Sequence, residues 1–270
     1  MNDPKPMGSV AERLLNYVNT TPQHDSNFQI AVAMLRNYHK LGQMSAEQIA
    51  DLCFVSKATI SRFCRYLGFD SFREFHDYVK APISMKSDYS RSFFDMLCAD
   101  RWAAIDRYQE QLIENVRVTF ARDNVDKIPD MVRVLHESKR VAFFSHHFLW
   151  DIGRHMQSKL MMMGLYLEQY FDYGAQLECA RSLQKQDTAV ICTVGGSYPS
   201  RYANIWNALE TGGSRLLVIT QNRASPYWNS AAYVLNCGSS NQNDVGKYSA
   251  LLAADLLVMH YLRQYGREFF

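Results

Sequence analysis

The apolar residues of this 270-residue chain change their period near residue 140. From residue 8 to about 138 they recur at helical spacing, with short polar interruptions. From Arg140 onward, short β-rich runs alternate with helical stretches: VAFF, LYLEQY, TAVICTV, RLLVIT and AYVLNC. Five such runs interleaved with helices need crossover connections, which implies βαβ units in a mostly parallel, doubly wound, five-stranded sheet. The expected fold is an all-α N-terminal domain over residues 1–80 and an α/β domain over 106–270. Between them, 81–105 reads as a linker, where Pro82 and three serines break the periodicity.

Composition narrows the class further. With 47% hydrophobic residues and a net charge of +2 (29 Lys+Arg against 27 Asp+Glu), the chain can bury a core and is not disordered. No run approaches the roughly 18 apolar residues of a spanning helix, so no membrane partner is expected. The start, MNDPKPMGSVAERL, lacks the apolar centre of a secretory signal, which points to the cytoplasm. Six scattered cysteines without a CxxC pair read as buried thiols of a reducing compartment. Residues 1–80 carry a net charge of only +1, so any nucleic-acid contact there needs its cations focused on one face.

The stretch from Met44 to Val79 has such a face. Ser45 followed by Gln48 fits a capping box opening a short helix with Ile49, Leu52 and Cys53 inward. Cys53-Phe54-Val55 leaves room only for a tight turn, and Ser56 can cap a second helix. In that helix Ile60, Phe63, Cys64 and Leu67 form an apolar stripe, while Lys57, Ala58, Ser61, Arg62 and Arg65 lie opposite, with Thr59 at the edge. Gly68 supplies the left-handed residue that ends it, and Ser71 with Glu74 fits a further capping box. Small Ala50 suits a close helix crossing. This is the pattern of a helix-turn-helix, whose second helix enters a major groove. Ser56, Lys57, Ala58, Thr59, Ser61, Arg62, Arg65 and Arg73 are the candidate DNA-binding residues. Arg62 or Arg65 suits bidentate contact to guanine, and Lys57, Arg73 and Lys40 suit phosphate. Phe54 stands where such turns commonly hold glycine. A positive φ there would cost about 1–2 kcal/mol, which favours another turn geometry.

The string SKATISRFCRYLGFDSFREF resembles the signature of RpiR-type (MurR/RpiR) bacterial transcription regulators. The resemblance rests on Val55-Ser56, Thr59, Arg62-Phe63, Leu67-Gly68-Phe69 and Phe72. It implies a double-stranded DNA operator as partner, control of sugar or phosphosugar genes, and a sugar-isomerase-like (SIS) domain after the DNA-binding part. The SIS domain would mediate a homodimer or homotetramer and sense a sugar phosphate.

In a doubly wound sheet, ligands sit beyond the C-terminal strand ends at the topological switch point. The loops in question are Ser145-His146-His147 and Thr193 to Ser200. Gly195 and Gly196 let backbone approach a ligand, and Thr193, Ser197 or Ser200 can donate to phosphate oxygens. These residues, with Ser145, His146 and His147, are the candidate ligand set. Arg201 could pair with an anion. SIS domains usually carry Gly-x-Gly-x-Ser in the first loop and Ser-x-Ser-Gly-x-Thr in the second. Here the first reads Ser145-His146-His147-Phe148-Leu149, without glycine, and the second keeps one hydroxyl and the glycine. The pocket is thereby left with three readings: a sugar phosphate, another ligand held through His146 or His147, or none.

Isomerase chemistry needs a positioned base. Glu168, Glu178, Glu210, His146, His147 and His155 are available, but none lies in a catalytic string. Walker, HExxH and Gly-x-Ser-x-Gly motifs are absent. The reading is therefore a regulator rather than an enzyme, without cofactor or metal. The alternatives are a sugar-phosphate isomerase and a ligand-blind oligomerising scaffold. Met161-Met162-Met163 reads as core filling or a subunit contact.

Overall fold

A computed structural model describes residues 10–80 and 88–269. The described residues up to 80 form one compact unit, and those from 88 onward form another.

The first unit is all-helical: α1 (Val10–Thr20), α2 (Ser26–Arg36), α3 (Tyr38–Leu41), α4 (Ala46–Leu52), α5 (Lys57–Tyr66) and α6 (Phe72–Val79). The apolar stripe of α5 is its buried face: Ile60, Phe63, Cys64 and Leu67 pack with Leu14, Ile30, Met34, Ile49 and Phe75. Ala50 is buried in the same core, where α4 meets α5. The Ser45 capping box is complete, with the Gln48 amide nitrogen donating to Ser45 Oγ and the Ser45 amide to Gln48 Oε1. At α6 only half of the expected box forms. Ser71 Oγ accepts from the Glu74 amide, but the Glu74 carboxylate accepts from the Asp70 amide, one residue before the cap.

Both α4 and α5 end in the same hydrogen-bonded device. After α5, Gly68 takes φ +90, its amide donates to Arg65 O, and the Phe69 amide donates to Cys64 O. Such a paired closure is a Schellman motif, which asks for a left-handed residue. A Cβ there would also meet Arg13 Nη1 at 2.7 Å and displace the guanidinium. That guanidinium donates to Leu67 O at 2.6 Å and ties α1 to the end of α5. After α4 the left-handed residue is Phe54 itself, at φ +54. Its amide donates to Asp51 O and the Val55 amide to Ala50 O. The expectation of another geometry at this turn is therefore corrected. Closing the last turn of α4 and aiming the chain into α5 outweigh the strain of a bulky side chain.

The second unit opens with α7 (Arg91–Ala99), α8 (Arg101–Thr119), α9 (Arg122–Val125) and α10 (Ile128–His136). Of the expected linker, 81–87 lie outside the described residues, whereas 91–99 and 101–105 are helical. Ser90 Oγ accepts from the Phe93 amide, and Asp100 caps α8 through the amides of Trp102 and Ala103. These caps start helices where the serines were read as a break. Then follow β1 (Val141–Phe144), α11 (Leu149–Met161), β2 (Leu167–Gln169), α12 (Tyr173–Ser182), β3 (Thr188–Cys192), α13 (Tyr198–Arg201), α14 (Ala203–Gly212), β4 (Arg215–Thr220), β5 (Tyr233–Asn236) and α15 (Gly246–Tyr265).

The five strands run in the order β2-β1-β3-β4-β5, and every pairing is parallel. Alternate residues Val141, Phe143, Val190, Cys192, Leu217 and Ile219 share a core with α10, α11 and α15. The intervening Ala142, Phe144, Ala189, Ile191, Leu216 and Val218 are equally buried, so both faces are covered, as an all-parallel sheet requires. β2 is shorter than the run LYLEQY, because Tyr166 and Tyr170 at its ends are exposed. Of the methionine run only Met163 packs on the core, while Met161 and Met162 are exposed.

Glu168 on β2 is clamped by Arg140, whose Nε and Nη2 donate to its two oxygens at 2.7 and 2.8 Å. These hydrogen bonds hold the Glu168 carboxyl below its ordinary value against the opposing effect of burial. A carboxyl whose folded pKa is depressed stabilises the fold above its unfolded value, about 4.3, and loses that contribution as pH falls through the folded value. Glu168→Gln is accordingly expected to unfold at lower urea than the parent at pH 6–7, the gap closing below about pH 4. Parallel stability curves at all pH values would refute this role.

Candidate nucleic-acid interface and the switch-point loops

The N-terminal end of α5 gathers the polar residues singled out from sequence. Ser56 Oγ accepts from the Thr59 amide at 3.2 Å and lies 2.9 Å from Thr59 Oγ1. Arg62 Nη2 donates to the same Thr59 hydroxyl at 3.3 Å, and Arg65 Nε to Ser61 O at 3.4 Å. Ser56, Lys57, Ala58, Arg62 and Arg65 are exposed, with Thr59 and Ser61 half-buried. Among the described residues none of these cations pairs with a carboxylate, so their charge is free to act outward. Arg73 is exposed on α6 and belongs to a different helix from the cluster.

A shallow groove runs beside α5, lined by Val55, Ser56, Thr59, Arg62 and Tyr66 and by Ser26 and Asn27 at the start of α2. Sequence reasoning did not single out Ser26, Asn27 or Tyr66. Asp25, whose side chain caps α2 through the Phe28 amide, marked that helix start, but nothing local placed it beside α5.

In the second unit, β1 and β3 are neighbours while β2 and β4 lie to opposite sides, which makes the β1/β3 border the switch point. The two expected loops emerge there. Ser145 is buried, and its hydroxyl has no hydrogen-bond partner among the described residues. The His146 ring stacks on Tyr198 with centroids 5.9 Å apart and lies 5.7 Å from Tyr202. The exposed His147 takes φ +52 and turns its ring 74° from that of His146, so the two do not converge on one ion. Across the border, Thr193 Oγ1 is buried and accepts from the Tyr198 amide at 3.2 Å. Gly195, Ser197 and Ser200 are exposed, while Gly196 is buried at φ +78. Ser200 Oγ donates to Ser197 O.

One residue missed in the sequence ties the loops together. Gln176 on α12 accepts from the Tyr198 hydroxyl at 2.6 Å through Oε1. Its Nε2 donates to Ser145 O and Tyr170 O. Tyr198 and Tyr202 are fully buried and floor the switch point. The bulk of Tyr198 was visible in the loop string, but a glutamine on a distant helix gave no local signal.

Four of the six groups weighed as bases lie away from the His146-His147 loop and hold other partners. Glu168 is clamped by Arg140, Glu178 pairs with Arg181, Glu210 accepts from Ser230, and His155 Nε2 lies 2.8 Å from Asp255. Among the described residues no cluster could hold a metal ion. No described helix is long and apolar enough to cross a membrane.

Residues 13–86 match the helix-turn-helix domain of the rpiR family. The helical unit is an rpiR-type helix-turn-helix domain. An HTH-type transcriptional regulator of Haemophilus influenzae is 24% identical to it over 237 residues, covering 87% of this chain and 82% of that one. A second, from Caldanaerobacter subterraneus, is 24% identical over 208 residues, 74% of this regulator and 71% of the relative. Among solved structures, Vibrio vulnificus NanR complexed with ManNAc-6P shares 16% identity with a TM-score of 0.53, over 94% of this regulator and 92% of NanR. At that identity the likeness is one of fold. The regulator thus joins a DNA-binding helix-turn-helix unit to a C-terminal α/β unit, in a fold shared with NanR.

Proposed function

We propose that the regulator reads its operator with the N-terminal half of α5 and senses a sugar phosphate at the β1/β3 switch point. The observation that carries the first part is the cluster of unpaired, exposed Lys57, Arg62 and Arg65 around the Ser56–Thr59 hydroxyls. Short hydroxyl side chains and guanidinium groups at a helix N-terminus suit base edges and flanking phosphates of a major groove. In this reading Ser56, Ala58, Thr59, Ser61, Arg62 and Arg65 face bases, and Lys57 and Arg73 face phosphates. Selection from random duplex DNA tests it: a recovered sequence with two-fold symmetry and steeply salt-dependent affinity is expected.

For the effector, the exposed Gly195 and Ser197 and the unpartnered Ser145 hydroxyl offer donors around one strand border. NanR, which shares the fold, was solved in complex with ManNAc-6P. The reading is binding without turnover: Glu168, Glu178, Glu210 and His155 hold other partners, and the His146 ring at the switch point is stacked on Tyr198. Sugar binding would regulate sugar or phosphosugar genes from the cytoplasm, through a homodimer or homotetramer whose geometry sets the spacing of the two α5 helices. A thermal-shift panel of hexosamine, hexose and pentose phosphates at 100 times a member's Kd should raise stability by about 2.7 kcal/mol. A flat response to every member would remove the effector part and leave a ligand-blind DNA-binding scaffold.

A further inference from the structure

The helical unit uses one turn device twice and fills it differently. After α5 the left-handed position is Gly68; after α4 it is Phe54, at φ +54 and 96% exposed. Glycine would satisfy the same two backbone hydrogen bonds without strain. The Phe54 ring adds no burial in return, since almost none of it is covered. A strained backbone carrying a large apolar side chain into solvent has no account in the stability of the fold, and strain of this kind belongs with function.

The location indicates which function. Phe54 stands two residues before Ser56, the cap of α5, a separation of at most about 7 Å along the chain. Its neighbour Val55 lines the groove shared by Ser56, Thr59 and Arg62. We infer that Phe54 is a DNA-reading side chain, set beside the first turn of α5 to contact apolar C–H groups of the duplex. Those groups are thymine C5-methyls on the major-groove edge or deoxyribose carbons along its wall. This rests on the DNA-binding reading of α5 and deepens it. The turn trades folding stability for an apolar contact that glycine cannot make.

The test uses the full chain and a duplex recovered by selection from random DNA, with a scrambled duplex as control. Phe54→Gly should raise the thermal midpoint of the helical unit by several degrees. It should also lower affinity for the selected duplex about tenfold, leaving the scrambled duplex and the salt slope unchanged, because an apolar contact releases no counterions. Phe54→Trp should restore the affinity. Replacing thymine by deoxyuridine in the duplex separates the two contacts. A loss seen with the parent chain but not with the Phe54→Gly variant identifies the methyl, and no loss with either identifies deoxyribose. If Phe54→Gly binds the selected duplex as tightly as the parent while Arg62→Ala does not, Phe54 is no part of the DNA surface and the inference fails alone. If Arg62→Ala and Arg65→Ala also bind normally, the reading of α5 fails with it.

Discussion

Arg62→Ala is expected to weaken binding to the selected duplex by about 10- to 100-fold, the worth of one bidentate base contact, and to relax base preference at one position of each half-site. The Arg62 guanidinium is exposed on α5 and held toward the N-terminal turn by the Thr59 hydroxyl, which orders it before DNA arrives. Prior ordering lowers the entropy lost on contact. Arg65, one turn further on, is steadied by Ser61 O, and its replacement should act in the same direction. Neither substitution touches the core, so the thermal midpoint should stay within about 0.5 kcal/mol equivalent of the parent. Lys57→Ala provides the contrast: a phosphate contact weakens all sequences alike and lowers the salt slope by about one. Competition titrations at several salt concentrations distinguish the two behaviours. Unchanged affinity in both arginine variants would show that α5 does not read bases.

Phe63→Ala should have the largest effect on folding. Phe63 is buried on the inner face of α5 and meets the Tyr17 ring edge-on at 5.9 Å, joining α5 to α1. Truncating a buried phenylalanine costs about 3–5 kcal/mol in lost transfer energy and cavity. A unit of about 70 residues has roughly 4–10 kcal/mol in total, so about a third or more of its stability goes. The four tryptophans (Trp102, Trp150, Trp206 and Trp228) all lie in the second unit, which separates the signals. In a urea titration, the circular dichroism of Phe63→Ala should show an early loss of helix, while the tryptophan emission transition stays in place. A circular dichroism curve matching the parent would mean that the α5 stripe contributes little to the fold.

Local signals were reliable where the physics is local. The Ser45–Gln48 box, the Ser56 cap and the Ile60–Leu67 stripe are short-range patterns, and each is found at its expected residues. The β-rich runs likewise became the five strands, since residues buried on both sheet faces leave continuous apolar runs. Reading failed where two local rules competed. Around residue 90, serines count as helix breakers or helix starters, and only the Phe93 amide shows which. At Phe54 the steric rule for bulky residues lost to the hydrogen bonds closing α4. The switch-point loops were placed from strand order, but their content was not legible. Gln176 reaches Ser145 from 31 positions away, and no window of sequence contains both partners.

The all-parallel register also sets a clock. No two strands of the sheet can meet through a tight hairpin: Val141 pairs with Thr188, 47 positions further on, and Leu217 with Tyr233, 16 further on. Each pairing must close a long loop before it is rewarded, whereas each helix of the first unit forms through backbone hydrogen bonds about four positions apart. During refolding α5 is therefore expected to form while the sheet is still gathering its strands. For that interval the chain would carry its helices before the β1/β3 switch point exists.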